Sequence, residues 1–299
     1  MSKEISLKGC FPPIPTPFDK KGRVDHDRLA HNLEKWQETP LAGVAVLGSN
    51  GEAVFLKEEE KIETWKTARA VIKKDRLFIA GTGCESSMET IELTEKAANL
   101  GADVAMVVTP HYYKARMNHR SLMTHYTMIA ERSSIPIILY NVPVFTGIDL
   151  SAETITELAQ HPNIIGLKES SGNLAKIGQL VQRAGHTLHV LAGSGSFLLP
   201  ALSVGAVGGV MALACVAPHH LSELTQSFEQ GDLKKAREIQ LGLIPANAAV
   251  TITFGIPGLK AAMDLIGMVG GLVRPPLLPL ERQEKDELER ILREAGLLS

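Results

Sequence analysis

One lysine of this chain stands where a charged side chain is unusual. Lys168 follows the apolar run at residues 164–167, inside the segment HPNIIGLKESSGN. Such runs are typical of buried strands, where an ammonium group is costly unless it is paired or neutral. A neutral buried amine can attack a ketone to form a Schiff base. Alternatively, Lys168 leaves the sheet for solvent or pairs with a carboxylate such as Glu169, and the residues alone leave both hypotheses open.

Three other polar residues close apolar runs. Tyr140 ends the run IPIILY, and Ser49 and Asn50 follow the run GVAVLG. If the runs that end in Tyr140 and Lys168 are adjacent parallel strands about 4.8 Å apart, they bring a phenol and an amine into one pocket. A phenol can relay protons beside a Schiff base, and a GSNG turn offers backbone N–H groups to a carboxylate. The alternative is that Tyr140 only lines a barrel and has a local hydrogen-bond partner.

These residues belong to a repeating pattern of strand and helix. Eight apolar runs close on small or turn-forming residues, and the runs are CFPPIPTP, GVAVLGSNG, LFIAGTG, VAMVVTP, IPIILYNVP, IIGLKESSG, HVLAGSGS and AVGGVMAL. Segments with helical periodicity follow them, and these segments span residues 25–39, 57–72, 87–100, 118–132, 151–161, 173–184, 196–204 and 218–230. Eight alternating pairs predict an α/β fold, a (β/α)8 TIM barrel, with its active site at the carboxyl ends of the strands.

The chain after the eighth pair reads as an extension of the barrel. Residues 1–230 are predicted to form the (β/α)8 barrel, and residues 231–299 to form C-terminal helices packed on it. Helices are expected at 232–266 and 281–296, separated by the turn GMVGGLVRPPLLP. Because no low-complexity linker separates the two parts, we expect a single structural unit.

Composition excludes several classes of partner. The 299 residues carry a net charge of -2, and Lys234, Lys235 and Arg237 form only a short basic group on a predicted helix face. We therefore expect no nucleic-acid partner. The N-terminus lacks an apolar signal region, and no apolar run is long enough to span a membrane, so we expect no membrane partner and a cytoplasmic location.

The cysteines and histidines give no pattern of a metal site. Cys10, Cys84 and Cys215 are widely spaced and lack a C-x-x-C motif, so we expect reduced, structural cysteines. His119 and His125 lie six residues apart on a predicted helix, and we expect both at the surface rather than on a metal. No nucleophile elbow or phosphate-binding loop is present, and the glycine-rich GAVGGV is a weak dinucleotide signal.

Six segments in order carry a resemblance to a known family. They are GSNGE at 48–52, AGTGCES at 80–86, AMVVTPHYY at 105–113, LYNVPVFTG at 139–147, GLKES at 166–170 and GAVGGVMAL at 205–213. Together they resemble the dihydrodipicolinate synthase and N-acetylneuraminate lyase family of pyruvate-dependent class I aldolases. The resemblance covers nearly the whole chain, and it implies the same barrel with C-terminal helices.

The resemblance also implies roles for individual residues. Lys168 would form the imine, Tyr140 would be the general acid and base, and Ser49 would link Tyr140 to a second tyrosine, Tyr112. In many members that tyrosine reaches into the neighbouring subunit's site, so the resemblance implies a homo-oligomer, commonly a dimer of dimers. Because the substrate is held as a covalent imine on Lys168, neither a metal nor an organic cofactor is expected.

Further residues would bind pyruvate and other 2-oxo acid substrates. By the same resemblance, Ser49 and Asn50 would hold the pyruvyl carboxylate, and Met211 would line the wall near the lysine. Gly193 and Ser194 would contact the distal end of the substrate. A non-catalytic pyruvate-binding barrel is a different hypothesis, but the retained lysine and tyrosines favour an enzyme.

Within the family, the closer resemblance is to the 4-hydroxy-2-oxoglutarate aldolases. The segments QHPNIIGLKES and PANAAVTITFGIPGLK carry it, and Ser170 would then join the polar pocket. The expected reaction is reversible cleavage of 4-hydroxy-2-oxoglutarate to pyruvate and glyoxylate. The alternatives are a synthase that condenses pyruvate with aspartate semialdehyde, or a 2-keto-3-deoxy sugar acid aldolase. The synthases usually carry an arginine where this chain has Phe145, which would face the second substrate and cannot donate to a carboxylate; Arg116 or a backbone nest would have to do so.

Overall fold

Parallel strands form a nearly closed barrel in the computed structural model, which describes residues 5–298. The strands of this range are β1 (Gly9–Phe11), β2 (Pro13–Ile14), β3 (Gly43–Val46), β4 (Leu77–Gly81), β5 (Val104–Val108), β6 (Ile137–Asn141), β7 (Ile164–Glu169), β8 (His189–Ala192) and β9 (Gly208–Val210). Their order in the sheet is β1-β9-β8-β7-β6-β5-β4-β3-β2. Each of the eight predicted runs contains a strand, and the predicted TIM-barrel fold is confirmed.

The first predicted run forms two short strands rather than one. β1 pairs with β9 and β2 pairs with β3, so this single stretch of chain closes the barrel from both sides. Pro12 lies between the two strands. Since a proline has no N–H to donate to a neighbouring strand, the run CFPPIPTP is interrupted at Pro12, and Pro13 stands at the first position of β2.

Helices follow the strands and surround the barrel. They are α1 (His26–Gln37), α2 (Glu58–Val71), α3 (Ser87–Asn99), α4 (His119–Arg132), α5 (Pro143–Thr146), α6 (Ala152–Leu158), α7 (Leu174–Ala184), α8 (Leu198–Ser203), α9 (Pro218–Glu229), α10 (Leu233–Ala248), α11 (Gly255–Leu265) and α12 (Arg282–Glu294). Side chains at the N-caps Asp25, Ser86 and Asn173 accept hydrogen bonds from the third residue of their helices, which fixes where each helix begins. In residues 5–298 no helix is long and apolar enough to cross a membrane.

The apolar residues form two layers of core. One layer fills the barrel and includes Phe11, Ile79 and Ile138. The other lies between the strands and the helices and includes Trp36 and Trp65. Because alternate residues of a strand point to opposite faces, strands buried on both faces are apolar almost throughout. This explains the near-continuous aliphatic runs of the sequence.

The C-terminal region differs from the prediction of one helix over 232–266. Two helices, α10 and α11, are separated there by a π-helical turn, Ala249–Thr253. The helix cannot continue regularly, because Gly255 has a left-handed φ of 57° and Pro257 lacks an N–H. The short helix α5, which Pro143 starts, was also not predicted.

The surface location predicted for His125 is wrong. His125 is buried on the face of α4 that also carries Leu122, Tyr126 and Ile129, so its spacing matches the apolar stripe of the helix. Its Nδ1 lies 2.8 Å from the hydroxyl of Ser87. Burial lowers the pKa of His125 from 6.5 to about 4. The imidazole is therefore neutral in the folded protein at pH values where an unfolded chain would protonate it.

This burial predicts a loss of stability in mild acid. Between pH 6.5 and about pH 4, the unfolded state binds a proton that folded His125 does not bind, so the free energy of unfolding falls as the pH falls. The full contribution is about 3 kcal/mol. His125→Asn should flatten the pH dependence of chemical denaturation in this window. His119→Asn is the control, because His119 is exposed; equal curves for His125→Asn and the wild type would contradict the prediction.

Candidate active site

Lys168 points into the barrel at the carboxyl end of β7. In the strand register it lies between Tyr140 of β6 and Leu191 of β8, both of which belong to the interior layer of the core. Only 4% of the residue is exposed, and its Nζ lies 3.9 Å from the centroid of the Tyr140 ring. Within residues 5–298, Lys168 has neither an ion pair nor a hydrogen bond to its ammonium group. The alternative of a pair with Glu169 is therefore not observed.

Glu169 lies on the other face of the same strand, in a buried polar network. Its carboxylate accepts hydrogen bonds at 3.0 Å from the side-chain amide of Asn141 and forms an ion pair at 3.0 Å with Lys176. Lys176 also lies 2.6 Å from Asp149. Because Asn141 and Glu169 directly follow Tyr140 and Lys168, this network fixes the ends of the two strands that carry the phenol and the amine. We did not predict it, since Asp149 and Lys176 meet the strands only in the fold.

The hydroxyl of Ser49 reaches Tyr140. Ser49 begins a 3-10 turn, Ser49–Gly51, which Leu47 and Gly48 connect to β3, and its Oγ lies 3.2 Å from the Tyr140 hydroxyl. The turn is held against the next strand by a close backbone contact: a Cβ on Gly81 would lie 2.2 Å from the Leu47 carbonyl oxygen. Only glycine fits there. Ser49 and Asn50 are both half-buried, at the mouth of the barrel.

Tyr112 lies at the same mouth and is exposed to solvent. It follows β5, 76% of it is accessible, and its ring packs edge-on against Tyr113 at 5.1 Å. Together with Ser49 and Tyr140 it lines a cavity of about 400 Å³. Within one chain Tyr112 makes no hydrogen bond to Ser49, so the predicted link between them stays a prediction.

A larger cavity lies elsewhere and carries no such chemistry. Its volume is about 530 Å³, and residues such as Gly9 and His189, where β1 and β8 begin, line it. These are the amino ends of the strands. Because active sites of (β/α)8 barrels lie at the carboxyl ends, we place the candidate site at the smaller cavity and at Lys168 beside it.

Three predicted substrate-binding residues meet at the ends of β7 and β8. The Ser170 hydroxyl is buried and has no hydrogen-bond partner, which is costly unless a ligand supplies one. A Cβ on Gly193 would lie 1.9 Å from that hydroxyl, so glycine is required for the two strands to approach. Ser194 is bound instead by Asn247 of α10, which donates to its Oγ at 3.1 Å. Asn247 was not predicted, because its helix reaches the barrel only in the fold.

The remaining predicted residues lie at different depths. Met211 is fully buried just beyond β9, and its Cε would lie 2.0 Å from a Cβ on Gly209. Phe145, in contrast, is 62% exposed on α5. Lys114 belongs to a 3-10 turn, Lys114–Arg116, and its Nζ would lie 2.9 Å from a Cβ on Gly147, the residue after α5. A cation therefore stands beside the helix that carries Phe145, whereas Phe145 itself has no donor to offer.

The geometry as a whole is that of a site for an amine nucleophile. An unpaired buried amine, a phenol beside it and a hydroxyl beyond the phenol form a continuous series, Lys168, Tyr140 and Ser49. Residues 5–298 contain no group of three His, Cys, Asp or Glu side chains that could hold a metal ion. Such a series can form an imine and move protons next to it.

Comparisons with known proteins agree with this geometry. Residues 6–295 match the dihydrodipicolinate synthetase family. The 4-hydroxy-tetrahydrodipicolinate synthase of Methanothrix thermoacetophila is 36% identical over 288 residues, 96% of each chain. The synthase of the same name from Methanococcoides burtonii is 37% identical over 294 residues, 98% of this chain and 99% of the relative.

Solved structures give the same result. The dihydrodipicolinate synthase of Aquifex aeolicus is 32% identical, with a TM-score of 0.91 over 97% of this chain and 99% of that one. The enzyme of Cyanidioschyzon merolae, solved with lysine bound, is 30% identical, with a TM-score of 0.93 over 98% of this chain and 99% of that one. The likeness therefore extends over the barrel and the C-terminal helices.

Proposed function

The chain belongs to the dihydrodipicolinate synthetase family, whose members are pyruvate-dependent carbon–carbon lyases, and we propose that it joins pyruvate to an aldehyde that bears a carboxylate, or releases pyruvate from the adduct. The observation that carries this proposal is the buried, unpaired Lys168 beside the ring of Tyr140. A lysine without a counter-ion has no structural reason to be buried, whereas imine formation requires a neutral amine in such a place.

The proposed reaction begins with a covalent bond between enzyme and pyruvate. Neutral Lys168 attacks the C2 carbonyl, Tyr140 donates its proton to the departing hydroxyl so that water leaves, and an imine forms. The Tyr140 phenolate is then the base for the next step. Tyr140 removes a proton from C3, and the resulting enamine attacks the aldehyde carbon. Tyr140 then returns the proton to the aldehyde oxygen, and hydrolysis of the imine frees the product and the lysine. Cleavage is the reverse of these steps, and the imine serves as the electron sink without a metal or an organic cofactor.

The turn at Ser49 supports this sequence of steps. Its hydroxyl is placed 3.2 Å from the Tyr140 hydroxyl, so it can pass a proton onward. Asn50 and the backbone N–H groups of the turn are proposed to hold the pyruvyl carboxylate. Met211 is proposed to line the wall of the pocket near Lys168, and Ser170, Gly193 and Ser194 are proposed to meet the part of the substrate that comes from the aldehyde.

The first candidate for the second substrate is aspartate semialdehyde. The names of the relatives support it, because both curated relatives above are 4-hydroxy-tetrahydrodipicolinate synthases. Since Phe145 cannot bind the carboxylate of this aldehyde, we propose that Lys114 does so. The Lys114 ammonium has no acidic partner in the described chain and lies beside the loop that follows Tyr140.

The second candidate is cleavage of 4-hydroxy-2-oxoglutarate to pyruvate and glyoxylate. The Ser170 hydroxyl favours it, because that buried group lacks a partner and could bind the 4-hydroxyl or the small aldehyde. The resemblance to 4-hydroxy-2-oxoglutarate aldolases remains a prediction.

Trapping of the imine tests the class of chemistry. After incubation with pyruvate and borohydride, intact-mass spectrometry and digestion should find a reduced pyruvyl adduct on Lys168, and Lys168→Ala should show none. Tyr140→Phe should keep the fold while its turnover falls roughly 10² to 10⁴-fold. Turnover at the wild-type rate in Lys168→Ala would contradict the mechanism. Binding of pyruvate by the wild type without any adduct would favour a non-catalytic barrel.

A paired assay tests the second substrate. The wild type is given pyruvate with aspartate semialdehyde in one series and 4-hydroxy-2-oxoglutarate alone in the other, and kcat/KM is compared. We expect the condensation to be faster, and Lys114→Met to raise the KM for the aldehyde about tenfold with an unchanged KM for pyruvate. If cleavage of 4-hydroxy-2-oxoglutarate is faster than the condensation, and Ser170→Ala slows this cleavage, the second candidate is established instead.

We also propose that the chain works as a homo-oligomer, a dimer of dimers. Exposed apolar side chains surround the mouth of the site, and these are Val54, Tyr112, Tyr113, Val144 and Phe145. A second copy packed against them would bury this surface. It could also bring the partner subunit's tyrosine to Ser49, which the chain's own Tyr112 does not reach.

Sedimentation equilibrium tests this assembly. The wild type should sediment as a tetramer, and Tyr113→Asp should weaken the assembly and lower kcat, because a charge would be buried in an apolar contact. Gln226→Asp is a matched control, since it also adds one negative charge, at an exposed position on α9. A fully active monomeric wild type would contradict the proposal.

A further inference from the structure

Two residues in the left-handed region bracket the turn that carries Ser49. Leu47 has a φ of 62° and Glu52 a φ of 53°, and these two are the non-glycine residues of the described chain with positive φ. Residues other than glycine rarely adopt this backbone conformation, and they keep it only where their surroundings hold them. Glu52 therefore keeps this backbone conformation because other parts of the protein hold its side chain.

A buried ion pair holds Glu52 from the C-terminal helices. Its Oε1 lies 2.5 Å from the Nζ of Lys260 on α11, and neither side chain is more than 2% exposed. Its Oε2 accepts a hydrogen bond at 2.8 Å from the backbone N–H of Arg274. Burial lowers the pKa of Lys260, and the adjacent Glu52 carboxylate opposes that effect.

Lys260 uses its other donors on the same region of the backbone. Its Nζ donates to the carbonyl oxygens of Thr16 at 2.7 Å and Leu272 at 2.6 Å. The Thr16 hydroxyl in turn donates to the Gly51 carbonyl oxygen at 2.7 Å. With the Glu52 ion pair this makes three protein partners around an ammonium group whose side chain is only 2% exposed. Lys260 therefore acts on protein groups only.

Arg274 extends this support along the loop after the turn. Its guanidinium donates to both carboxylate oxygens of Glu60, at 2.6 and 2.8 Å, and to the Phe55 carbonyl oxygen at 2.7 Å. Both cations contact the ring of Phe18, whose centroid lies 4.6 Å from the Lys260 Nζ and 4.3 Å from the Arg274 Cζ. The negative charges of Glu52 and Glu60 thus balance the positive charges of Lys260 and Arg274. These four side chains together support the loop at residues 49–60.

We infer that Lys260, through Glu52, is a positioning residue that holds Ser49 and Asn50 in place for the pyruvyl carboxylate and for Tyr140. The inference rests on the proposed function, and it extends the site to a helix outside the barrel. A buried ion pair is rarely the most stable choice for a core, because an apolar pair of similar volume removes the cost of desolvating two charges. What the pair does here is fix one backbone conformation beside the catalytic hydroxyl.

The first test is kinetic and uses Glu52→Gln and Lys260→Met. Glu52→Gln keeps the shape of the side chain and removes its charge. Each variant should raise the KM for pyruvate at least about tenfold, since a misplacement of about 1 Å can cost up to about 10²-fold. The KM for the second substrate should stay within about twofold, because its proposed contacts lie on other loops. A merely structural role would lower the amount of active enzyme and leave both KM values unchanged.

The double variant Glu52→Gln/Lys260→Met removes both charges, so no unpaired charge is left buried if a single variant fails to fold. Leu224→Ala is the matched control: Leu224 is fully buried on α9, so its loss destabilises the fold without touching the turn. Hydrogen exchange of the amides at residues 48–56 should become faster in the Glu52 and Lys260 variants and stay unchanged in Leu224→Ala. This measurement does not depend on activity.

The outcomes separate the two proposals. A wild type without a pyruvyl adduct on Lys168 would overturn the proposed function. A wild type with the adduct, together with folded Glu52 and Lys260 variants whose pyruvate KM and amide exchange match the wild type, would overturn only the positioning role. Slower exchange of the turn in these variants would overturn it as well.

Discussion

The site depends on one property of a β-strand: neighbouring side chains point to opposite faces. Lys168 and Glu169 are adjacent in the chain, yet the lysine faces the barrel interior and the glutamate faces the helices. The strand thus separates an amine from the carboxylate that would otherwise neutralise it. Glu169 forms an ion pair with Lys176, so its negative charge is already balanced and does not attract Lys168. An unpaired amine in a low-dielectric interior is the condition for nucleophilic chemistry, and the strand's geometry creates it.

The same separation organises the rest of the structure. Outside the strands, Asn141 and Lys176 connect the ends of β6 and β7, so the spacing between Tyr140 and Lys168 is set by polar contacts that never meet the substrate. Inside, the apolar layer of the barrel excludes water below the lysine. Family membership and the whole-chain likeness to solved dihydrodipicolinate synthases agree with a site built in this way.

Much of the fold could be predicted, because it depends on local patterns. Apolar runs of seven to nine residues, counted with their closing turn residues, and helical periodicity locate the strands and most helices, and a lysine that follows the apolar part of one run identifies Lys168. The failures have physical causes. The polarity of His125 predicts a surface location, whereas its position on the apolar stripe of α4 buries it. The partners Lys176, Asn247 and Lys260 could not be predicted, since each lies on a helix whose approach to the site depends on tertiary packing.

The hydrogen bond between Glu52 and Arg274 joins residues 222 positions apart. Ser49 lies in the first sixth of the chain, but the groups that fix its turn are among the last to be synthesised. Contacts of such large sequence separation form late, because the intervening chain must be ordered first. During synthesis the barrel strands can pair before the turn acquires its final conformation. The enzyme would then become competent only after its C-terminal helices have docked, which makes this docking a condition for activity.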